Sequence, residues 1–532
     1  MARCRIKFDF KTRQLFIFLL ISEVIFCILF FFHCKFDDHA LPAKNATTDA
    51  KGKSEDLSLI FDPTTSMYKE KTIYVSTEYP LFQDIHVMNG VGFGFLMAFL
   101  RRYGFAAVTV NLLQLAYVPQ LAILLRGFTS AEFWDPENHW KFTISMEEMI
   151  TAELACTSVI VAMGAMIGRL TPIQFMIMGF MQTVATVSVE YVLREIMLVN
   201  DGGRTLITHC FGAYFGLACS ACAKQVRVLN NRGETRTIGS RDDIDALEDS
   251  DHSELFSMIG TMFLWILFPS FNAATQTPED ARHRCVMNTY LAMAAGTVTA
   301  IFMSSLTDKH GRLNMIHVQS STLAGGVAIG SVSAVILRPW KSMVIGSIGA
   351  LVSVLGHSYV QKFLKSKFNI GDTCGVHNLH GMPGIVSGLS SALIVFSYLP
   401  SQYGETLDHF YKGMSAHHRT QIQQALWQLA GLGVVLVTST VVGAFTGALL
   451  RCGFWNQMTD PSLALAERGF YFGNPDAVWR PSDDPEWLAQ MEENGHAAVE
   501  LRNRAPSGTL RRAAGAEGED IMASFRRSYN LG

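Results

Sequence analysis

DGGRTLITHCFGAYFGL at 201–217 and DTCGVHNLHGMPG at 372–384 decide how this chain is read. Each opens on an aspartate, Asp201 or Asp372, and places a histidine eight residues later, His209 or His380, inside an apolar stretch. The two copies lie 171 residues apart. A histidine within a lipid-embedded helix is costly, and its default meaning is a functional site. Two of them at matching points of two halves indicate an internally repeated membrane protein whose site lies where the repeats meet.

The rest of the chain fits that frame. Its 532 residues are 49% hydrophobic and 17% charged, whereas soluble domains carry about 25% charged residues. The apolar residues gather into about twelve blocks, near 14–34, 84–101, 105–127, 147–168, 171–195, 203–222, 254–275, 284–306, 314–336, 342–362, 376–399 and 425–450. A helix needs roughly 20 residues to cross a bilayer, and lipid tolerates only helices or closed barrels. The predicted fold is therefore an all-α polytopic membrane protein. Two five-helix halves, about 84–222 and 254–399, form an inverted repeat with flanking helices.

Charge sets the orientation. Residues 1–13 carry Arg3, Arg5, Lys7, Lys11 and Arg13 against the single acid Asp9, which predicts a cytoplasmic N-terminus. An even number of crossings returns the charged segment 453–532, expected to be largely disordered, to the same side of the membrane domain 14–452. The external loop 35–80 holds Asn45-Ala46-Thr47, the one N-x-S/T sequence, so Asn45 is the expected glycosylation acceptor. The polar stretch 224–253 reads as a connector between halves. Cys219 and Cys222 form a C-x-x-C with no second pair, so they read as small apolar residues at a helix end.

In this topology the helix at 203–222 starts outside and the helix at 376–399 starts inside. Eight helical residues rise about 12 Å against a half-bilayer of about 15 Å, so both histidines approach the midplane from opposite sides. Gly212 and Gly216, and Gly381, Gly384 and Gly388, let neighbouring helices come close. Gly202, Gly203, Gly371 and Gly375 beside the aspartates permit a broken helix start. The aspartates read first as helix caps, worth about 0.5–2 kcal/mol, and second as attractors for a cation. Either histidine alone has an ordinary alternative as a core residue bonded to a carbonyl. The matched pair is better explained by two imidazoles facing each other across a narrow lumen, where they can share a proton. Such a lumen suits a small polar molecule better than a hydrated ion. His377 is a candidate for the inner mouth, and His86, His317 and His357 remain without a role. No H-E-x-x-H, zinc-spaced Cys/His set, G-x-S-x-G or Walker sequence is present, which argues against an enzyme and gives no reason to expect a metal, a cofactor or a nucleic-acid partner.

The runs FQDIHVMNGVGFGFLMAFLRRYGF (82–105), HCFGAYFGL (209–217), PSFNAA (269–274) and DTCGVHNLHGMPG (372–384) closely resemble the Rh (Rhesus) glycoproteins of the ammonium transporter superfamily, which includes the Amt and Mep proteins. The resemblance spans about 15–450. It implies a homotrimer of twelve-helix protomers in the plasma membrane, each with its own pore for ammonia and ammonium. It places the twin histidines at His209 and His380, the inner gate phenylalanine at Phe271 beside Asn272, and vestibule acids at Asp201 and Glu190. Asp372 is the counterpart of Asp201 in the second half. Two positions depart from the pattern. Ala152-Glu153-Leu154-Ala155 puts Leu154 where the outer gate phenylalanine is expected, losing a cation–π contact worth about 0.5–2 kcal/mol. Arg204 stands where a small residue is expected and can pair with Asp201 or Glu190. The leading expectation is ammonium/ammonia transport. The rivals are a carbon dioxide channel of the same fold and a non-transporting scaffold that binds cytoskeletal or signalling partners through its tail.

Overall fold

The computed structural model describes residues 10–37, 40, 59–62, 67–70, 75–99, 104–223, 227–229, 235–237, 251–368 and 370–457. Asn45, most of the 224–253 connector and the tail from 458 onward lie outside the described residues.

Within the described residues, every apolar block read from the sequence is mainly helical. Among the described residues, eight helices are long and apolar enough to cross a membrane: Arg13–His33, Gly104–Thr129, Met146–Met166, Pro172–Ile196, Ser253–Ala273, Glu279–Thr307, Pro339–Phe368 and Gln421–Leu450. Several start on local signals. Ser145 accepts from the Glu148 N–H at 3.2 Å, and Thr420 and Gln423 exchange reciprocal bonds at 3.2 and 2.9 Å. Such caps satisfy amides that the first turn leaves unpaired.

The other four blocks, 75–99, Leu206–Cys222, 317–332 and 377–394, are shorter or interrupted. Each contains a π-helical turn: Met88–Phe93, Leu206–Cys210, His317–Ser321 and His377–Gly381. Such turns are uncommon and concentrate at functional sites. Two more, Val192–Ile196 and Gly356–Val360, interrupt the helices just before the two aspartates. The fifth helix of each half therefore opens on the same interruption and the fourth carries one toward its C-terminal end, a repeat signal that hydropathy alone does not reveal.

The histidine helices begin later than the sequence spacing suggests. Helical structure starts at Thr205 and Val376, four residues after each aspartate. Arg204, with φ at 59°, and Gly375, at 69°, hold the chain in the left-handed region immediately before. Asp201 and Asp372 thus lie in the preceding loops, and the depth estimate from eight helical residues does not apply.

Glycine contacts fix the directions of the helices. A side chain at Gly381 would meet Ala213 and Tyr214, one at Gly384 would meet Cys210, and one at Gly388 would meet Leu206. Residue numbers rise along one helix as they fall along the other, so the two histidine helices are antiparallel. Gly212 lies against Ser158 and Val161, and Gly216 against Ala162, so Leu206–Cys222 runs parallel to Met146–Met166. At Gly216 a Cβ would sit 2.8 Å from the Ala162 carbonyl oxygen, which leaves no room for a side chain. Serine 220 closes the arrangement: its hydroxyl donates to the Gly371 carbonyl at 2.5 Å, placing the end of one histidine helix beside the loop that starts the other.

The first and last helices meet at one face. Gln14 donates to the Phe454 carbonyl and accepts from the Asn456 N–H, both at 2.7 Å, and Gln174 donates to the Leu450 carbonyl at 3.0 Å. At the other end of the first helix, strand Cys34–Phe36 pairs in parallel with Phe142–Ile144. Outward-facing Leu20, Phe31, Val437 and Phe445 are exposed on the single chain, as lipid-facing or interprotomer residues would be.

Candidate functional site

The two interrupted helices bring His209 and His380 side by side with their rings nearly parallel. Their ring centroids are 5.0 Å apart and their planes differ by 8°. Both side chains are buried, and the close crossing through Gly381 and Gly384 is what allows it. Apolar rings continue the column at both ends. Phe271 and Phe268 pack on His209 at 5.4 and 5.7 Å, and Phe93 lies 6.0 Å from His380. A cavity of about 20 Å³ adjoins His380, lined by Phe93, Met97, Val161 and Leu379. It has room for about one water-sized molecule.

Both ring nitrogens of His209, and Nδ1 of His380, are buried without a hydrogen-bond partner. An unpaired buried polar group costs about 1–3 kcal/mol, and native interiors rarely tolerate one without a reason. The pair therefore carries open hydrogen-bonding positions, which lie in the planes of the two rings. An imidazole can offer a donor or an acceptor according to tautomer.

The aspartates serve the helix starts. Asp201 accepts from the Leu206 and Ile207 N–H groups at 2.9 and 3.2 Å and from the Ser331 hydroxyl at 2.6 Å. Asp372 accepts from the Val376 and His377 N–H groups, both at 2.9 Å. Each carboxylate thereby holds the first turn of its histidine helix. Asn272 likewise fixes packing, donating to Thr289 Oγ1 at 3.2 Å and to the Gly326 carbonyl at 3.1 Å.

Glu190 is placed differently from a free vestibule acid. One of its oxygens, Oε1, is shared by Arg126 at 2.6 Å, Arg194 at 3.4 Å and Arg204. Arg204 therefore pairs with Glu190 and not with Asp201, and the carboxylate is already occupied by guanidinium groups. Leu154 is buried in the middle of Met146–Met166, with its carbonyl 3.5 Å from Thr208 Oγ1. His377 lies edge-on to Tyr214, one turn from His380.

Sequence reasoning missed several neighbours. Phe93 and Phe268 flank the histidines but sit in runs already rich in phenylalanine, so nothing distinguished them. Glu153 is buried between Ala152 and Leu154, where it accepts from Asn89 at 2.8 Å and is 2.8 Å from His86 Nδ1. A carboxylate inside an apolar helix was the available signal.

Residues 60–464 match the Ammonium Transporter Family. The chain belongs to it. It is 39% identical over 411 residues to the human "Ammonium transporter Rh type C", covering 76% of this chain and 82% of that protein. It is 35% identical over 457 residues to the zebrafish (Danio rerio) "Ammonium transporter Rh type B", covering 86% and 92%. Among solved structures, the Rh50 protein of Nitrosomonas europaea, described as belonging to the Rhesus protein family of channels, superposes with a TM-score of 0.61 at 30% identity, covering 81% of this chain and 98% of that one. Mep2 of Saccharomyces cerevisiae shares the fold with a TM-score of 0.52 at 18% identity, over 75% of this chain and 94% of that one. The chain is thus a multi-pass helical membrane protein of the Rh type within this family.

Proposed function

We propose that each chain forms a pore that takes ammonium at the face where Leu206–Cys222 begins, deprotonates it and conducts ammonia past His209 and His380. The observation that carries this reading is the stacked imidazole pair with unpartnered nitrogens inside a column of phenylalanines. A bare cation in such a column would lose its hydration for little return, at a cost of many kcal/mol. Neutral ammonia loses far less, and the open nitrogens replace its bonds to water one at a time. Ammonium therefore leaves its proton to water on the near side of Phe271, ammonia crosses the pair, and beyond Phe93 it takes a different proton from water on the far side.

The chain crosses the plasma membrane twelve times, using the eight long helices and the four interrupted ones. The pairing of Gln14 with residues 454–456 supports an even count, and the basic residues before Gln14 favour the cytoplasm for that face. Asn45 then faces outward as a glycosylation acceptor, and the outward apolar faces accommodate lipid and the other copies of a homotrimer.

A second reading has one observation in its favour. The arginines around Glu190 and the leucine at 154 make the outer mouth poorly suited to a cation, which favours a neutral gas such as carbon dioxide as a further substrate. Stopped-flow measurements on proteoliposomes with ammonia, methylammonium and carbon dioxide separate the two readings. Wild-type flux well above protein-free vesicles is expected, falling to background in His209→Ala and His380→Ala. Wild-type ammonia flux equal to that of empty vesicles would refute the proposal.

A further inference from the structure

A cavity of about 200 Å³ lies just past the end of Ser253–Ala273, the helix that carries Phe271, between the loop 198–204, residues 275–277 and the segment around 409–412. Three of its lining side chains are cationic, Arg194, Arg204 and Lys412, against one lining carboxylate, Asp201. Both oxygens of Asp201 are already committed to Leu206, Ile207 and Ser331 and so turn toward the helix start. Glu190, behind the wall, neutralises one further charge through Arg204 and Arg194, which leaves the lining with an excess of positive charge.

Two features show that this wall is built. Arg204 and Leu198 are both non-glycine residues in the left-handed region, with φ of 59° and 52°, and both line this cavity. Strain of that kind persists only where surrounding structure enforces it, and it clusters at functional sites. Lys412 is exposed and, among the described residues, has no carboxylate within ion-pair distance. The lining also carries the Thr277 hydroxyl and the Gln276 amide, while Thr275 and Asn200 donate to the Gly202 and Ser331 carbonyls at 3.3 and 3.4 Å. Fork-shaped guanidinium groups with a mobile ammonium and neutral donors are the usual recognition set for a planar oxyanion.

We infer that this cavity binds a small monovalent oxyanion of carboxylate or bicarbonate chemistry. The bound anion neutralises the mouth, so the arginines that would repel an incoming cation become part of a site that a cation can approach. Binding itself does not depend on the transport reading, and it is measured without it.

The test uses the full chain purified in detergent and titrated with [13C]formate or [13C]bicarbonate, with ionic strength held constant by chloride, which carries no carboxylate. Saturable broadening of the 13C resonance is expected at about 1–10 mM, the range for a few charge-assisted contacts open to water. Arg194→Gln/Lys412→Gln is expected to weaken it about tenfold or more, whereas Lys141→Gln, an exposed lysine on another loop, leaves it unchanged. Arg204→Gln is avoided because Arg204 is buried against Glu190 and its loss risks misfolding. Competition by one anion against the other separates a shared carboxylate-type site from one selective for bicarbonate. No saturation up to about 100 mM, or equal binding in the double variant and wild type, overturns the inference.

Discussion

Replacing Glu190 with glutamine removes the one carboxylate that three arginines share, and the consequence can be worked out from the contacts. Glu190 and Arg204 have side chains only 5% exposed, and Arg126 is 18% exposed. Removing one partner of a buried ion pair costs about 3–5 kcal/mol, because the other charge is left buried and uncompensated. Here the penalty grows, since guanidinium groups that converge on one oxygen lie within roughly 7 Å of each other. At an effective dielectric of about 20, two such charges repel by about 2 kcal/mol. Glu190→Gln is therefore expected to lower the melting temperature in detergent by about 5–10 °C at fixed scan rate. Adding Arg204→Gln removes the most buried unpaired charge and much of the repulsion, so the double variant should be more stable than Glu190→Gln alone. Fluorescence-detected size-exclusion after heating reads all four corners of this cycle. If Glu190→Gln melts within about 1 °C of wild type, or the double variant loses the sum of the two single losses, the three arginines are not held by this carboxylate.

Three further outcomes follow from other parts of the structure. Gly216→Val should destabilise by about 1–3 kcal/mol or more, since a Cβ there meets the Ala162 carbonyl oxygen at 2.8 Å. Gly433→Ala, with open space around it, should leave the melting temperature unchanged, and equal melting of the two variants would contradict the packing described. Phe271→Ala and Phe268→Ala open the column beside His209 and should raise osmotic water permeability of proteoliposomes above wild type, at a stability cost of about 3–5 kcal/mol; unchanged water permeability in both would show that these rings do not seal the pore. Leu154→Phe adds the aromatic ring that the resemblance to the Rh glycoproteins leads one to expect at this position. It should strengthen methylammonium inhibition of ammonia flux about 2- to 30-fold, matching a cation–π gain of 0.5–2 kcal/mol, with no change if position 154 does not face the path.

Several of these features could be read before any coordinates. The apolar blocks gave the helices because lipid enforces backbone pairing within each segment, leaving little tertiary choice. The Asp-to-His spacing, the glycines after each histidine and the PSFNAA run marked the site because polar or small residues inside apolar helices are rarely accidental. The late helix starts at Thr205 and Val376 were not legible, because a left-handed residue before a helix depends on what holds it there.

By itself, then, the sequence determined a repeated helical membrane domain and named His209, His380 and Phe271 as its centre. Only tertiary structure decided how they act together. The antiparallel crossing over Gly381 and Gly384 sets the imidazoles 5.0 Å apart, and residues 59 or more positions away supply Phe268 and Phe271 on one side. The charge of the mouth was decided the same way. Glu190 counts as a vestibule acid in a linear reading, yet Arg126 and Arg204 reach it from other elements and join Arg194, four residues along its own helix. Hydropathy is a property of each segment. Register between helices and the pairing of distant charges belong to the assembled fold, because they depend on which surfaces are brought into contact.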